Sequence, residues 1–362
     1  MRRIAGRTRA AGQHAAPPTP ERTDMARIGL VGFFGWGNYG DELFLENWRA
    51  TIGLHHEVEV VHDMLSQPYF SRPAVEVVKD FDALVIGGGD LVIPNKISPL
   101  YWNRAWLAKP IYISGVGVPT WIKHQAPDVM ERLRNFFQHE NVRHIGVRDQ
   151  ESAHWVRREL APKVPVEAHA DLAFNLLLPP AVKFDRPTIG INLRSHRAGS
   201  DPAALVKVCQ TYADRGYDVV NIVLGTGRTR TTDLEVARAF PFDRQVILES
   251  EDTAELSSYL GGLDVLVSNK FHGTVVATMY GVSSVVLSST TKSRNLYRRL
   301  SREHLLSTNE DPDMLRKVEL AAAPVSSAAV RQLEVEANAA VRTLVGKLNA
   351  DFRPSYKAAS GS

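Results

Sequence analysis

Short apolar runs alternate along this chain with longer stretches whose apolar residues recur at helical spacing. Runs of four to eight residues that end in glycine or a polar group read as buried strands, and the stretches between them as covering helices. Strands are predicted at 26–32, 58–62, 81–86, 111–116 and 145–147, and again at 188–193, 219–224, 246–248, 265–267 and 284–287. Helices are predicted at 43–52, 128–139, 153–160, 201–215, 253–261, 295–302 and 326–350, with another from Asp233 to Ala239. Strand and helix alternating in this way predict parallel sheets covered by helices. Pro179, Pro180 and Pro187 mark a boundary between two such sets.

The fold class that follows is α/β: two Rossmann-like domains, their parallel sheets facing a cleft, in the GT-B-like arrangement. The domains are expected at 26–180 and 181–325. A helix at 326–350 can cross back from the second onto the first, and 351–362 read as a frayed tail. Ligands of parallel sheets bind outside the carboxyl ends of the strands, so the residues at those ends are the candidates for chemistry. The richest is the turn Asn269-Lys270-Phe271-His272-Gly273, between a strand and a helix of small and apolar residues. A histidine there titrates near neutrality and can face an anion held at the helix N-terminus. Phe33-Phe34-Gly35-Trp36-Gly37-Asn38-Tyr39-Gly40-Asp41-Glu42 is either a ligand-facing loop or a tight turn with acids at a helix start. Gly87-Gly88-Gly89 ends an apolar strand, where the backbone must turn sharply or lie against a ligand. Arg148 and Arg194 each end a strand and can fork onto a carboxylate or phosphate; Arg148 can equally pair with a neighbouring acid. Asp171 is either a cap or a site carboxylate.

Composition narrows the function. The net charge of +3 over 362 residues sits in residues 1–24, where five arginines face two acids; the remainder holds 38 basic and 38 acidic residues. The first 25 residues are expected to be a disordered basic tail, and a neutral body excludes a nucleic-acid-binding domain. No apolar run approaches the ~18 residues of a membrane span, and no signal-peptide core is expected. One cysteine, Cys209, excludes an internal disulfide framework and fits a reducing compartment. No His-x-x-x-His pair or Asp-rich calcium loop is present, so no metal is expected.

Taken in order, Gly35-Trp36-Gly37-Asn38-Tyr39-Gly40-Asp41-Glu42, Gly87-Gly88-Gly89, Gly115-Val116-Gly117, Val147-Arg148-Asp149 with Ser152, and Phe271-His272-Gly273 followed by Lys292 resemble the polysaccharide pyruvyl transferases. The resemblance runs from about Arg27 to Leu305. It implies transfer of the enolpyruvyl carbons of phosphoenolpyruvate onto two hydroxyls of a sugar, giving a cyclic ketal and phosphate, with no cofactor. Acceptors would be sugars of cell-surface polysaccharides, glycolipids or lipid-linked precursors. The enzyme would be cytoplasmic, with peripheral attachment to the inner membrane face where such acceptors lie.

By this resemblance the catalytic group is His272, with Asp41 or Asp171 to deprotonate or orient acceptor hydroxyls. Phosphoenolpyruvate would be held by Arg194, Lys270, Gly273 and Lys292 from the second domain and Arg148 from the first. Gly35, Gly37, Asn38, Gly88 and Gly89 would form the acceptor-side loops. The family turn usually has arginine where this chain has Lys270, which keeps the charge but loses the bidentate fork. Two other functions share the pattern. A nucleotide-sugar glycosyltransferase would need a carboxylate for ribose, for which Glu255 is the candidate. A non-catalytic sugar- or phosphate-binding protein would not need a histidine among cations.

Overall fold

The computed structural model describes residues 25–194 and 201–352. Of the expected tails, 1–25 and 351–362, residues 1–24 and 353–362 lie outside the described residues, as does 195–200, directly after Arg194. The first domain carries β1 (Arg27–Val31), β2 (Glu57–Val60), β3 (Ala83–Gly87), β4 (Ile111–Val116), β5 (Val142–Val147) and β6 (Val166–Ala168). They form one parallel sheet in the order β2-β1-β3-β4-β5-β6. The second domain carries β7 (Thr188–Asn192), β8 (Asp218–Val223), β9 (Gln245–Glu249), β10 (Val265–Ser268) and β11 (Ser283–Val286), parallel in the order β11-β10-β7-β8-β9. The central strands are buried along their whole length, because helices cover both faces. These are the two Rossmann-like domains expected from the alternation.

The helices are α1 (Tyr39–Thr51), α2 (Ala74–Val77), α3 (Pro127–Phe137), α4 (Gln150–Leu160), α5 (Ala203–Asp214) and α6 (Gly227–Ala239) in the first part of the chain. They continue with α7 (Thr253–Gly261), α8 (Phe271–Met279), α9 (Thr291–Arg299), α10 (Met314–Leu320) and α11 (Ser327–Phe352). Three differences from the sequence expectation matter. First, α1 begins at Tyr39 rather than 43, so Gly40, Asp41 and Glu42 are helical. Second, α9 begins at Thr291 rather than 295, which puts Lys292 in its first turn; Ser301 at φ 55 closes the segment after it. Third, α11 runs to Phe352, and Asp351 accepts a hydrogen bond from the Tyr112 hydroxyl.

Two devices hold the domains together. The N-terminal half of α11 buries Val330, Leu333 and Ala337 in the core of the second domain, and its C-terminal half buries Val341, Leu344 and Leu348 in that of the first. Meanwhile α1 sends Tyr39 and Leu43 into an apolar cluster with Ile222, Leu224, Leu256 and Val276 of the second domain. The Tyr39 hydroxyl meets Ser257 Oγ at 2.6 Å inside that cluster. The strand ends of the two sheets therefore face one cleft.

Candidate active site

The cleft has a cavity volume of about 690 Å³. Asn38, Asp41, Gly89, Arg194, Lys270, His272, Gly273 and Lys292 of the sequence-predicted residues line it. Arg148 and Asp171 lie beneath, buried, and reach the same group of side chains through ion pairs. Gly35, Gly37 and Gly88 do not line the cavity; they shape the backbone that does. Gly35 and Gly37 have φ of 79° and 85°, and their N–H groups donate to Glu42 Oε1 at 2.8 and 2.9 Å. Gly37 also meets the second domain, where its carbonyl accepts from the Thr226 N–H at 2.8 Å.

His272 sits in the first turn of α8, whose residues 273–278 are buried. Lys270 is the N-cap and makes no side-chain cap bond, so the first-turn N–H groups open on the cleft that Phe271, His272 and Gly273 line. Imidazole Nε2 lies 3.6 Å from Asp171 Oδ2. That leaves Nδ1 on the side of Gly40, where a Cβ would stand 1.7 Å from it. The ring is held edge-on by Phe44 and Phe271, with centroids at 5.8 and 5.2 Å. Burial drives the His272 pKa down, with Asp171 opposing and Lys292 and Arg148 adding to the fall. Burial alone would raise Asp171, yet His272, Arg148 and the Ala173 N–H outweigh it and hold the carboxyl at about 2. The result is a fixed carboxylate behind an imidazole, an arrangement that selects the tautomer and stabilises the ring when it takes a proton.

The cations are already engaged. Arg148, at the end of β5, pairs with Asp90 and lies 3.9 Å from Asp171. Lys292 lies 3.4 Å from Asp90, and both cations stand over the Phe271 ring, at 5.5 and 5.2 Å from its centroid. Burial and then the Arg148 charge push the Lys292 amine down to about 7. Lys270 pairs with Asp233 of α6, and burial lowers its pKa too. Asp41 moves the other way. Burial raises it to about 7, against the pull of Lys292 and a 2.7 Å bond from Asn38 Nδ2. Two groups of opposite type brought near neutrality in one cleft can exchange protons at physiological pH. Arg148 Nε and Nη1, Asp171 Oδ2 and His272 Nε2 are buried without a hydrogen-bond partner, a concentration of unsatisfied groups that typifies reactive centres.

Sequence reasoning passed over four of these residues. Asp90 follows the three glycines directly, and an acid in that place was a readable signal. Gly40 stands where a helix former would be preferred. Asp233 acts through Lys270, distant in sequence, and Phe271, though part of the quoted motif, was given no role of its own. Glu255, the candidate for gripping a ribose, is instead bonded to Ser250 Oγ and the Tyr259 hydroxyl at 2.5 Å each and does not line the cleft. Among the described residues, no group of three or more His, Cys, Asp or Glu side chains is placed to hold a metal ion.

A family model for polysaccharide pyruvyl transferases matches residues 38–291. No curated protein matches the sequence. Among solved structures, the MnaA–UDP complex of S. aureus is 11% identical, with a TM-score of 0.58 over 90% of this chain and 97% of that one. UDP-GlcNAc 2-epimerases resemble the chain at a similar level. That of Methanocaldococcus jannaschii is 10% identical with a TM-score of 0.56, and that of Neisseria meningitidis, bound to UDP-GlcNAc, 10% identical with 0.55. Each pairing covers 88% of this chain and 99% of the other. At such identities the likeness concerns the fold, two Rossmann-like domains about a cleft.

Proposed function

Since the chain belongs to the polysaccharide pyruvyl transferase family, we propose that it transfers the enolpyruvyl group of phosphoenolpyruvate to two hydroxyls of one sugar, closing a cyclic ketal and releasing phosphate. The observation that carries this reading is the company His272 keeps: an imidazole backed by Asp171, at a helix N-terminus, among Arg148, Arg194, Lys270 and Lys292. A donor with both a carboxylate and a phosphate needs several cations and backbone donors in one place. The α8 N-terminus with Lys270 suits one anionic group, and Arg148 with Lys292 the other. Binding exchanges the Asp90 carboxylate for the donor's.

The reaction adds a proton to the methylene carbon, which leaves positive charge at C2. One sugar hydroxyl attacks C2 and gives up its proton. The C2–O bond to phosphate then breaks, the second hydroxyl attacks C2, and its proton leaves with the phosphate. Two hydroxyl protons are thus accounted for, one on the new methyl group and one on phosphate. His272, neutral because it is buried, accepts a hydroxyl proton at Nδ1, the nitrogen turned from Asp171 toward Gly40 of the cleft lining, while Asp171 steadies the charge that forms. Asp41, with its pKa near 7, gives the methylene carbon its proton and, as the carboxylate so formed, takes one back from the first hydroxyl; the proton on His272, from the second, passes to the phosphate. General acid–base steps of this kind contribute about 10²–10⁴-fold. No further cofactor enters this scheme. The acceptor belongs to a cell-surface polysaccharide or a lipid-linked precursor. No described helix is long and apolar enough to cross a membrane, so in this reading the enzyme meets a lipid-linked acceptor at the inner membrane face by peripheral attachment.

The test is phosphate release from phosphoenolpyruvate with a panel of glucosides, galactosides and mannosides, for the wild type and His272→Ala. Sugar-dependent release that the substitution abolishes is expected. Release that survives it would keep the reaction and remove His272 from its centre. A melting temperature raised by a nucleoside diphosphate and not by phosphoenolpyruvate would favour glycosyl transfer instead.

A further inference from the structure

The two walls of the cleft differ in chemistry. All four lysines and arginines that line it, Arg194, Arg228, Lys270 and Lys292, belong to the second domain. Five of the six aromatic residues that line it belong to the first: Phe33, Trp36, Tyr39, Tyr101 and Trp121. Most of these are accounted for by the fold. Phe33 stacks on Trp36 at 4.3 Å, the Trp36 indole N–H donates to Leu65, and Tyr39 is in the apolar cluster between the domains. Trp121 is different. It is 54% exposed, whereas the chain's other five tryptophans are buried. Of the eight large apolar side chains left exposed among the described residues, it is the only aromatic and the only one on the cleft.

Its exposure is not that of a loose loop. Val118 N–H donates to Ser152 Oγ at 3.1 Å, and Ile122 N–H closes a turn onto Pro119 at 2.9 Å. Thr120, next to Trp121, bonds Glu151 and meets Thr291 Oγ1 across the cleft at 2.9 Å. Thr291 directly precedes Lys292. These bonds anchor the chain on both sides of Trp121, beside the helix that carries one of the site's cations.

We propose that Trp121 is the stacking platform of the acceptor subsite, on which the neutral ring of a hexopyranoside lies with its C–H face on the indole and its diol edge turned into the cleft. This rests on the pyruvyl-transfer reading. A pyranoside has no charge for the cationic wall to use, and its recognition needs a flat apolar surface with polar groups around it. Asn38, Asp41 and Asp90 supply those on the same wall. The division of the cleft then broadly matches the two substrates: the anionic donor meets chiefly the second domain, with Arg148 of the first reaching it from beneath, and the neutral polyol lies on the first.

The test follows Trp121 in the full-length protein with saturating phosphoenolpyruvate. Its fluorescence is taken as the difference between wild type and Trp121→Phe, and the probes are methyl glycosides of galactose, glucose, mannose and N-acetylglucosamine. At least one glycoside should shield Trp121 from acrylamide quenching. Trp121→Ala should raise the KM for that glycoside on the order of tenfold, with the KM for phosphoenolpyruvate within about twofold and Trp121→Phe close to wild type. An unchanged glycoside KM in Trp121→Ala overturns the inference. So does the absence of shielding by every glycoside while phosphoenolpyruvate raises the melting temperature. If phosphoenolpyruvate neither binds nor releases phosphate, and a glycoside still shields Trp121, the sugar platform stands and the donor reading falls.

Discussion

Gly40 offers a sharp test of the site's geometry. It lies in the first turn of α1, with no positive φ to demand glycine. By helix propensity alone, Gly40→Ala should stabilise the protein by up to about 1 kcal/mol. The structure predicts the reverse. An added Cβ would lie 1.7 Å from His272 Nδ1 and 2.5 Å from the two ring carbons beside it, where ordinary contact begins at 3.4 Å. The ring cannot retreat freely, because Phe44, Phe271 and Asp171 hold it. Either α1 or the imidazole must move by more than 1 Å, roughly the displacement that costs about 10²-fold in rate when a catalytic group is misplaced. Overpacking of this kind also costs about 1–3 kcal/mol. The assay pairs sugar-dependent phosphate release with thermal melting. Gly346→Ala serves as the control, since Gly346 is also helical and a Cβ there meets nothing within 4 Å. That variant should gain stability and keep its rate. Gly40→Ala with wild-type kcat and a raised Tm would refute the placement of His272 against α1.

Two further predictions concern the carboxylates. Asp41 has its pKa raised from 3.8 to about 7 by burial, so the folded protein retains a proton that the unfolded chain gives up. Its contribution to stability is present in full below pH 4 and is lost as pH rises to 7, by at most about 4 kcal/mol. Asp41→Asn should therefore melt higher than wild type at pH 8, by a margin that shrinks toward pH 4; a margin independent of pH would contradict the burial argument. Asp90 shares Arg148 and Lys292, with its own side chain 29% exposed against 2% for Arg148. Asp90→Asn should cost roughly 1–3 kcal/mol by leaving buried charge less well paired. It should also enlarge the rise in Tm caused by phosphoenolpyruvate, because the donor no longer competes with a resident carboxylate. A smaller rise would show that Asp90 assists donor binding instead of occupying its place.

The fold was legible because parallel strands buried on both faces write themselves as unbroken apolar runs. Ile28–Val31, Ala83–Ile86 and Val265–Val267 could hardly be anything else, and their glycine- or polar-terminated ends pointed to the cleft. Short edge elements were less visible: three residues of β6 and seven of α10 carry too little periodicity to stand out. The site was legible one strand end at a time. His272, Arg148, Lys270 and Asp171 could each be proposed from a place at a strand end, since such ends gather at the cleft, and Lys292 from the family resemblance. Their charge states could not. A lysine in a sequence reads as a cation, and an aspartate as an anion. The Lys292 amine and the Asp41 carboxyl are brought near pH 7 by burial, and burial depends on which residues far along the chain close over them. The same holds for the pairs. Asp90 meets Arg148 across 58 residues, and Asp233 meets Lys270 across 37. What looked in sequence like a surplus of cations awaiting an anionic donor includes, in the folded chain, three already held by carboxylates: Arg148, Lys270 and Lys292. On the proposed reading an anionic donor binds by displacing Asp90, and its affinity reflects the difference between two ion pairs, not the strength of one.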